Sequence, residues 1–230
     1  MKIAIIGCGL MGSGVASLAA PEAELLLIDR EPSKAQALAQ TCRGLWSCDL
    51  QDAREAELVA VVLPARAVGE TFLALAEIVR PGAVVLDMAT KGVIPSEAGE
   101  KRPDAAFVEA KIVGSGIGVS LGLQALLVVD TRDEALLGTL RAALPGFGSI
   151  LPGDTALVPQ INARGAYWGI RAAVEAEREV RDLGLPEAWV KAVSGCLVPG
   201  STLGLSQGRM GRFNREIADR IIMEAESSHP

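Results

Sequence analysis

Lys2 to Ile6 is a run of β-branched and small apolar residues, and it breaks straight into Gly7-Cys8-Gly9-Leu10-Met11-Gly12. The run is apolar at successive positions, as a strand buried on both faces requires. Leu10 to Ala20 then reads as a helix. Strand, G-x-G-x-x-G and helix in that order assign each glycine a task. Gly7 permits the tight turn, Gly9 lets the backbone approach a diphosphate, and Gly12 lets helix and strand pack closely. Leu10 and Met11 open the helix, whose free N–H groups and partial positive charge suit phosphates. By itself the motif is weak evidence. Here Leu25 to Ile28 reads as a second strand ending in Asp29. An acidic residue about 20 positions beyond the glycines can accept hydrogen bonds from the ribose hydroxyls of NAD. A carboxylate at Asp29 repels a 2′-phosphate, so NAD is the expected cofactor. Arg30 next door could grip that phosphate, which leaves NADP open, or be a solvated charge at a strand end.

The competing reading of the same residues is an export signal, with Lys2 as basic start and the alanines near position 20 as cleavage site. Gly7, Gly9, Gly12 and Gly14 interrupt the apolar core that a signal needs, and too few residues precede Cys8 for a lipid-anchored cysteine. The chain has 230 residues, half of them hydrophobic, and a net charge of −6. One large domain, or one plus a small helical addition, fits that length. No basic block appears, so nucleic acid and anionic membranes are not expected partners. No apolar run approaches a membrane span. Cys8, Cys42, Cys48 and Cys196 lack metal-site spacing, and reduced thiols in the cytoplasm are expected. The single histidine, His229, lies beside the C-terminus. Histidine-based triads and histidine general bases are therefore not expected.

Apolar runs alternate with helical patterns for about 150 residues. Pro32 to Gln40 reads as a helix, Leu45-Trp46 as a short strand, Leu58 to Leu63 as a strand stopped by Pro64, and Ala67 to Val79 as a helix. Ala83 to Leu86 forms a strand ending in Asp87, and a helix follows Pro95. Ala106 to Val113 and Ala125 to Val129 are strands, Asp133 to Leu144 a helix, and Gly146 to Leu151 a final strand. This predicts an α/β, doubly wound, mainly parallel sheet over residues 1–152. Residues 153–230 form a small all-helical domain, with a long helix from about Val158 to Leu183, another near Glu187 to Cys196 and a third over Ser201 to Glu224. Ile161, Ile170, Val174 and Leu183 give the long helix an apolar face. So few helices can hardly bury such a stripe alone, which predicts a homodimer.

Five segments carry a resemblance. GCGLMGSGVASLAA resembles G-x-G-x-M-G; LVAVVLP a fourth strand ending in proline; PGAVVLDMAT the pattern P-G-x-x-x-x-D-x-S-T. FVEAKIVGSGIGVSLGLQALLVV runs without gaps against F-x-D-A-P-V-S-G-G-x-x-G-A-x-x-G-T-L, and NARGAYWGIRAAVEAEREVRDLGL is similar to a long interdomain helix with Glu175-Ala176 as a recurrent pair. Together they resemble the 6-phosphogluconate dehydrogenase-like superfamily, with its β-hydroxyacid dehydrogenases and imine reductases. The resemblance implies a Rossmann domain and NAD(P)-dependent hydride transfer between nicotinamide and a small hydroxyacid, ketone or imine. It implies that Leu63, Pro64 and Thr90 lie beside the cofactor, and that Gly114 and Ser115 contact the substrate.

The departures are chemical. The substrate-binding serine is Val113, with Ser115 two residues on, and the D-x-S-T serine is Ala89. The position of the long helix that should carry a catalytic lysine is Pro159; Asn162 stands where the family often has asparagine or histidine, and Ala163 follows it. Three accounts follow. Tyr167 or water donates the proton, as in lysine-less imine reductases. Alternatively Lys91, after the D-x-x-T strand end, or Lys111, in place of the proline of D-A-P-V, has taken the role, each read otherwise as a surface cation. Last, the protein binds dinucleotide without turning it over, as a sensor. Arg164 and Arg171 share a helix face; Arg164, nearer the expected cleft, is the candidate for a substrate carboxylate. Tyr167 and Trp168 read most simply as packing residues of a buried helix, and Cys8 as a small residue that fits the turn.

Overall fold

The computed structural model describes residues 1–227, so His229 lies outside them. The chain divides into two compact units, Met1–Asn162 and Ala163–Pro230.

In the first unit β1 (Lys2–Ile6), α1 (Leu10–Leu18), β2 (Glu24–Ile28), α2 (Pro32–Cys42), β3 (Leu45–Ser47), β4 (Leu58–Val61) and α3 (Ala65–Ile78) follow in sequence. β5 (Val84–Asp87), α4 (Ser96–Lys101), β6 (Ala106–Val113), α5 (Gly116–Ser120), β7 (Leu126–Val129), α6 (Glu134–Ala143) and β8 (Ser149–Pro152) complete the sheet. The strands lie in the order β3-β2-β1-β4-β5-β6-β7-β8. All neighbours are parallel except β6 and β7, which run antiparallel with Ile112 opposite Leu127. The order reverses between β1 and β4, and the crevice at such a reversal opens above the carboxyl ends of the strands.

Alternating side chains along each strand serve two cores. Ile3, Ile5, Leu25, Leu27, Leu58, Leu86 and Ile112 meet Val15 of α1, Leu38 of α2 and Leu137 and Leu140 of α6. Ala4, Ile6, Leu26, Ile28, Val59, Val61 and Val85 meet Val68, Phe72 and Leu75 of α3 and Ala98 of α4. Both faces are covered, which is why these strands read as continuous apolar runs. At about 25 cal/mol per Å² of buried apolar surface, each fully buried leucine or isoleucine contributes about 1.5–3 kcal/mol.

Helix ends follow local chemistry. α1 stops at Leu18, two residues short of expectation: Ala19 is already extended at ψ 155°, and Pro21 two residues on has no N–H with which to continue the helix. Asp133 caps α6, its carboxylate accepting from Ala135 N–H at 2.9 Å and Leu136 N–H at 3.3 Å. Among the short elements not anticipated, two lie between strands of the sheet. A 3-10 turn, Leu50–Glu55, is capped by Asp49, and Ser115 caps α5 by accepting from Gly118 N–H at 3.0 Å.

α7 (Val158–Asp182) begins in the first unit and continues into the second, which also holds α8 (Glu187–Ala192), a π-helical turn (Val193–Leu197), α9 (Val198–Ser206) and α10 (Arg212–Ser227). Pro199 has no N–H to give one turn back, and the π-helical turn lies where that bond is missing. The helix expected over Ser201 to Glu224 is two helices, parted at Gly208, whose φ of +64° no helix accommodates. α10 runs on past Glu224, so that Glu226 and Ser227 are helical. Among the described hydrophobic residues of this unit only Val190 is buried. The expectation that Tyr167 and Trp168 are packed inside is corrected: their exposures are 55% and 63%.

Candidate functional site

The site grows from the end of β1. Gly7 sits at φ +99°, a conformation L side chains rarely adopt, and a Cβ there would collide with Val62 O and Leu63 Cδ2 at the end of β4. A Cβ on Gly12 would drive into the carbonyl oxygen of Gly7. Gly9 differs: its φ is −78°, which any residue adopts, and a Cβ there would meet no protein atom within 4 Å. Neither backbone nor packing therefore asks for glycine at 9, and the open space beside its Cα is what a diphosphate running along the turn would fill. No side chain caps α1, and the first-turn amides of a helix have no intrahelical partner, so they are free for an anion.

Asp29 braces the turn from β2. Its Oδ2 accepts from Cys8 N–H at 2.8 Å and its Oδ1 from Glu31 N–H at 2.9 Å. Gly7 N–H reaches back to Ile28 O at 2.8 Å. The carboxylate is thus held at the rim of a cleft of about 500 Å³ over the ends of β1, β2 and β4, with Gly7, Gly9, Arg30, Leu63 and Pro64 among its walls. Lys34 of α2, Arg66 and Glu70 of α3 and Cys48 after β3 also line it; the sequence alone does not mark them as cofactor residues, for these elements come together only through the order of the strands. Lys34 pairs with Glu31 at 2.7 Å. Leu10 is exposed and Met11 packs partly on the core. Cys8 is 6% exposed, and burial, with the Asp29 carboxylate adding, pushes its thiol up to about 12. A larger cleft of about 670 Å³ near Asp130 and Asp154 lies away from the glycine turn.

The remaining candidates fall into three groups. Thr90 and Lys91 are exposed on the loop after β5. Lys111 is not the surface cation of the simpler sequence reading: it is 3% exposed, and its Nζ lies 2.5 Å from Asp87 Oδ2 and 3.2 Å from Gly92 O. Asn162 binds backbone at both ends of its amide, accepting from Gly114 N–H at 3.2 Å and donating to Ile112 O at 2.8 Å, so it ties α7 to the end of β6. Gly114 and Ser115 form the exposed turn into α5, with the Ser115 hydroxyl capping that helix. Arg164 and Tyr167 are exposed on the helical unit; Tyr167 Oη accepts from Arg171 Nη1 at 2.9 Å, and its ring stands edge-on to Trp168.

Residues 2–129 match the family model described as the NAD binding domain of 6-phosphogluconate dehydrogenase. The chain belongs to this family. As a member of the 6-phosphogluconate dehydrogenase NAD-binding family it carries a nicotinamide-dinucleotide domain, and the turn, uncapped helix and Asp29 are the parts of its surface that fit such a ligand. No curated protein matches the sequence. Solved structures give the fold over nearly the whole length. A pyrroline-5-carboxylate reductase from Coxiella burnetii superposes with a TM-score of 0.73 at 13% identity, covering 98% of this chain and 90% of that one. An imine reductase from Pseudomonas sp. gives 0.58 at 19% identity, over 99% and 86%. A 3-hydroxyisobutyrate dehydrogenase from Mycobacterium tuberculosis gives 0.58 at 20% identity, over 86% and 72%. Among the described residues no helix is long and apolar enough to cross a membrane.

Proposed function

We propose that the protein is an NAD-dependent oxidoreductase that moves a hydride between nicotinamide C4 and a carbon bearing oxygen or nitrogen in a small hydroxyacid, ketone or imine. The observation that carries this reading is the glycine turn: Gly9 leaves space that the protein itself does not use, beside uncapped amides and a braced carboxylate. The cofactor supplies the hydride; the chain supplies binding and orientation. Asp29 supports NAD over NADP, because a carboxylate at the ribose position repels a 2′-phosphate. The solved relatives named above include reductases of imines and a hydroxyacid dehydrogenase, which supports the substrate class by likeness.

For the proton, Lys111 is held by Asp87, and Asn162 is held by backbone at both ends of its amide. Of the remaining candidates Lys91 and Tyr167 are exposed side chains with a proton to give, and Lys91→Met and Tyr167→Phe separate them from each other and, if neither matters, from water. The direct test is titration with NAD, NADH and NADP by calorimetry, then a panel of hydroxyacids, ketoacids and cyclic imines followed at the reduced-nicotinamide absorbance band. Expected are micromolar binding of NAD, weaker binding of NADP, and turnover on one class. Binding without turnover across the panel favours the sensor reading, and no binding of any nucleotide ends both.

We propose further that the chain works as a homodimer joined through its helical unit, supported by the exposure of Trp168, Ile170, Phe213, Ile222 and Met223. Four free thiols support a reducing, cytoplasmic setting.

A further inference from the structure

We infer that Lys111 and Asp87 are positioning residues for the nicotinamide half of the bound dinucleotide, acting by tethering the loop of residues 88–92 at the end of β5. The inference rests on the dinucleotide reading above and adds to it the part of the site that the glycine turn does not reach.

The pair is fully inside the protein, with Asp87 at 0% and Lys111 at 3% exposure. Its contacts grip both ends of one loop. Asp87 Oδ1 accepts from Ala89 N–H at 2.9 Å, where the loop leaves β5. Lys111 Nζ joins Asp87 Oδ2 to Gly92 O, where the loop ends. Gly92 lies so close over the carboxylate that a Cβ would stand 2.5 Å from Oδ2, 2.7 Å from Oδ1 and 2.8 Å from Val68 Cγ2. The loop is thus folded down onto the charge pair, with Ala89 buried beneath it and Thr90 and Lys91 outermost.

The strand order says which part of a dinucleotide meets this loop. Asp29, at the end of β2, marks the adenosine side, and the turn after β1 takes the diphosphate. Beyond β1 the sheet continues through β4 to β5 and β6. At about 4.8 Å per strand, the end of β5 lies about 10 Å from that of β1, the reach of the second nucleoside. A buried ion pair is a poor device for stability alone, because desolvation offsets its attraction and apolar residues of similar size often serve as well. Fixing a loop end in one place is what this pair does that an apolar pair would not.

The test compares NAD with ADP-ribose, which lacks only the nicotinamide. The double variant Asp87→Leu/Lys111→Met removes both charges and leaves neither buried alone. Its expected affinity for ADP-ribose is within twofold of the parent, while its affinity for NAD falls at least tenfold. Equal changes for the two ligands overturn the inference, since a general loosening of the domain would weaken both. Should the variant not fold, hydrogen exchange on the unaltered chain decides. NAD is expected to slow exchange of the amides of residues 88–92 and ADP-ribose to leave them unchanged; equal protection by both, or by neither, overturns it. If the unaltered chain fails to bind ADP-ribose at all, the cofactor site itself is wrong, an outcome distinct from a lost preference.

Discussion

At the level of single residues, Gly9 and Gly12 look alike in the motif and differ in what they do. Gly12→Ala places a methyl group against the Gly7 carbonyl, so loss of cooperative unfolding or a fall in stability of about 3 kcal/mol is expected. Gly9→Ala has ordinary backbone angles and open space. Its thermal midpoint should stay within about 0.5 kcal/mol equivalent of the parent, while NAD affinity drops more than tenfold. Calorimetry and a melting curve on the same two samples check both. Cys8 offers a second test. Its thiol is raised from 9.0 to about 12 by burial, then by Asp29 and Cys42. A raised pKa means that the folded chain keeps a proton that the unfolded chain loses, so this stabilising effect is whole below pH 9 and disappears as pH rises toward 12. Alkylation at pH 8 is therefore expected to label exposed Cys48 and to spare Cys8 until the protein is denatured, read by peptide mass.

At the level of elements, caps decide ends. Asp133→Ala removes both hydrogen bonds at the start of α6 and is expected to cost about 1 kcal/mol of stability in urea unfolding. α6 packs on the sheet face that carries Leu137 and Leu140 inward, so NAD affinity should not change. The strands of the sheet were legible because burial on both faces writes them as unbroken apolar runs. Their mainly parallel direction was legible too, from the alternation with helices; the antiparallel course of β7 was not, for Leu126 to Val129 reads the same either way, and only the short connection through α5 makes β7 turn back. Gly208 and Gly211 were visible signals that the last helix is interrupted. At the site, Gly7, Gly12 and Asp29 were legible because the motif and its distance to the acid are local. The burial of Lys111 was not, since its partner stands on another strand, and a lysine inside an apolar run declares a counter-charge without naming it.

At the level of the whole molecule, the two units have opposite characters. The sheet unit encloses most of its apolar residues, whereas the described part of the helical unit leaves most of them in water. Burying a side chain of the size of phenylalanine or isoleucine stabilises by about 1.5–3 kcal/mol, so an exposed set of this extent favours association. Sedimentation at micromolar concentration is expected to show a dimer, and Phe213→Glu/Ile222→Glu to shift it toward monomer with at least a tenfold rise in dissociation constant. A monomeric parent protein would overturn the homodimer proposal.

The strand order also governs how the chain comes into being. β1 is made first, yet one of its two flanking strands is β4, and Ile3 cannot meet Leu58 until that segment has been synthesised. A nascent polypeptide that halts before Leu58 therefore carries a naked, apolar strand edge out of the ribosome. Such an edge invites pairing with any other chain, so translation speed and chaperone capture bear on the segment between β1 and β4 above all.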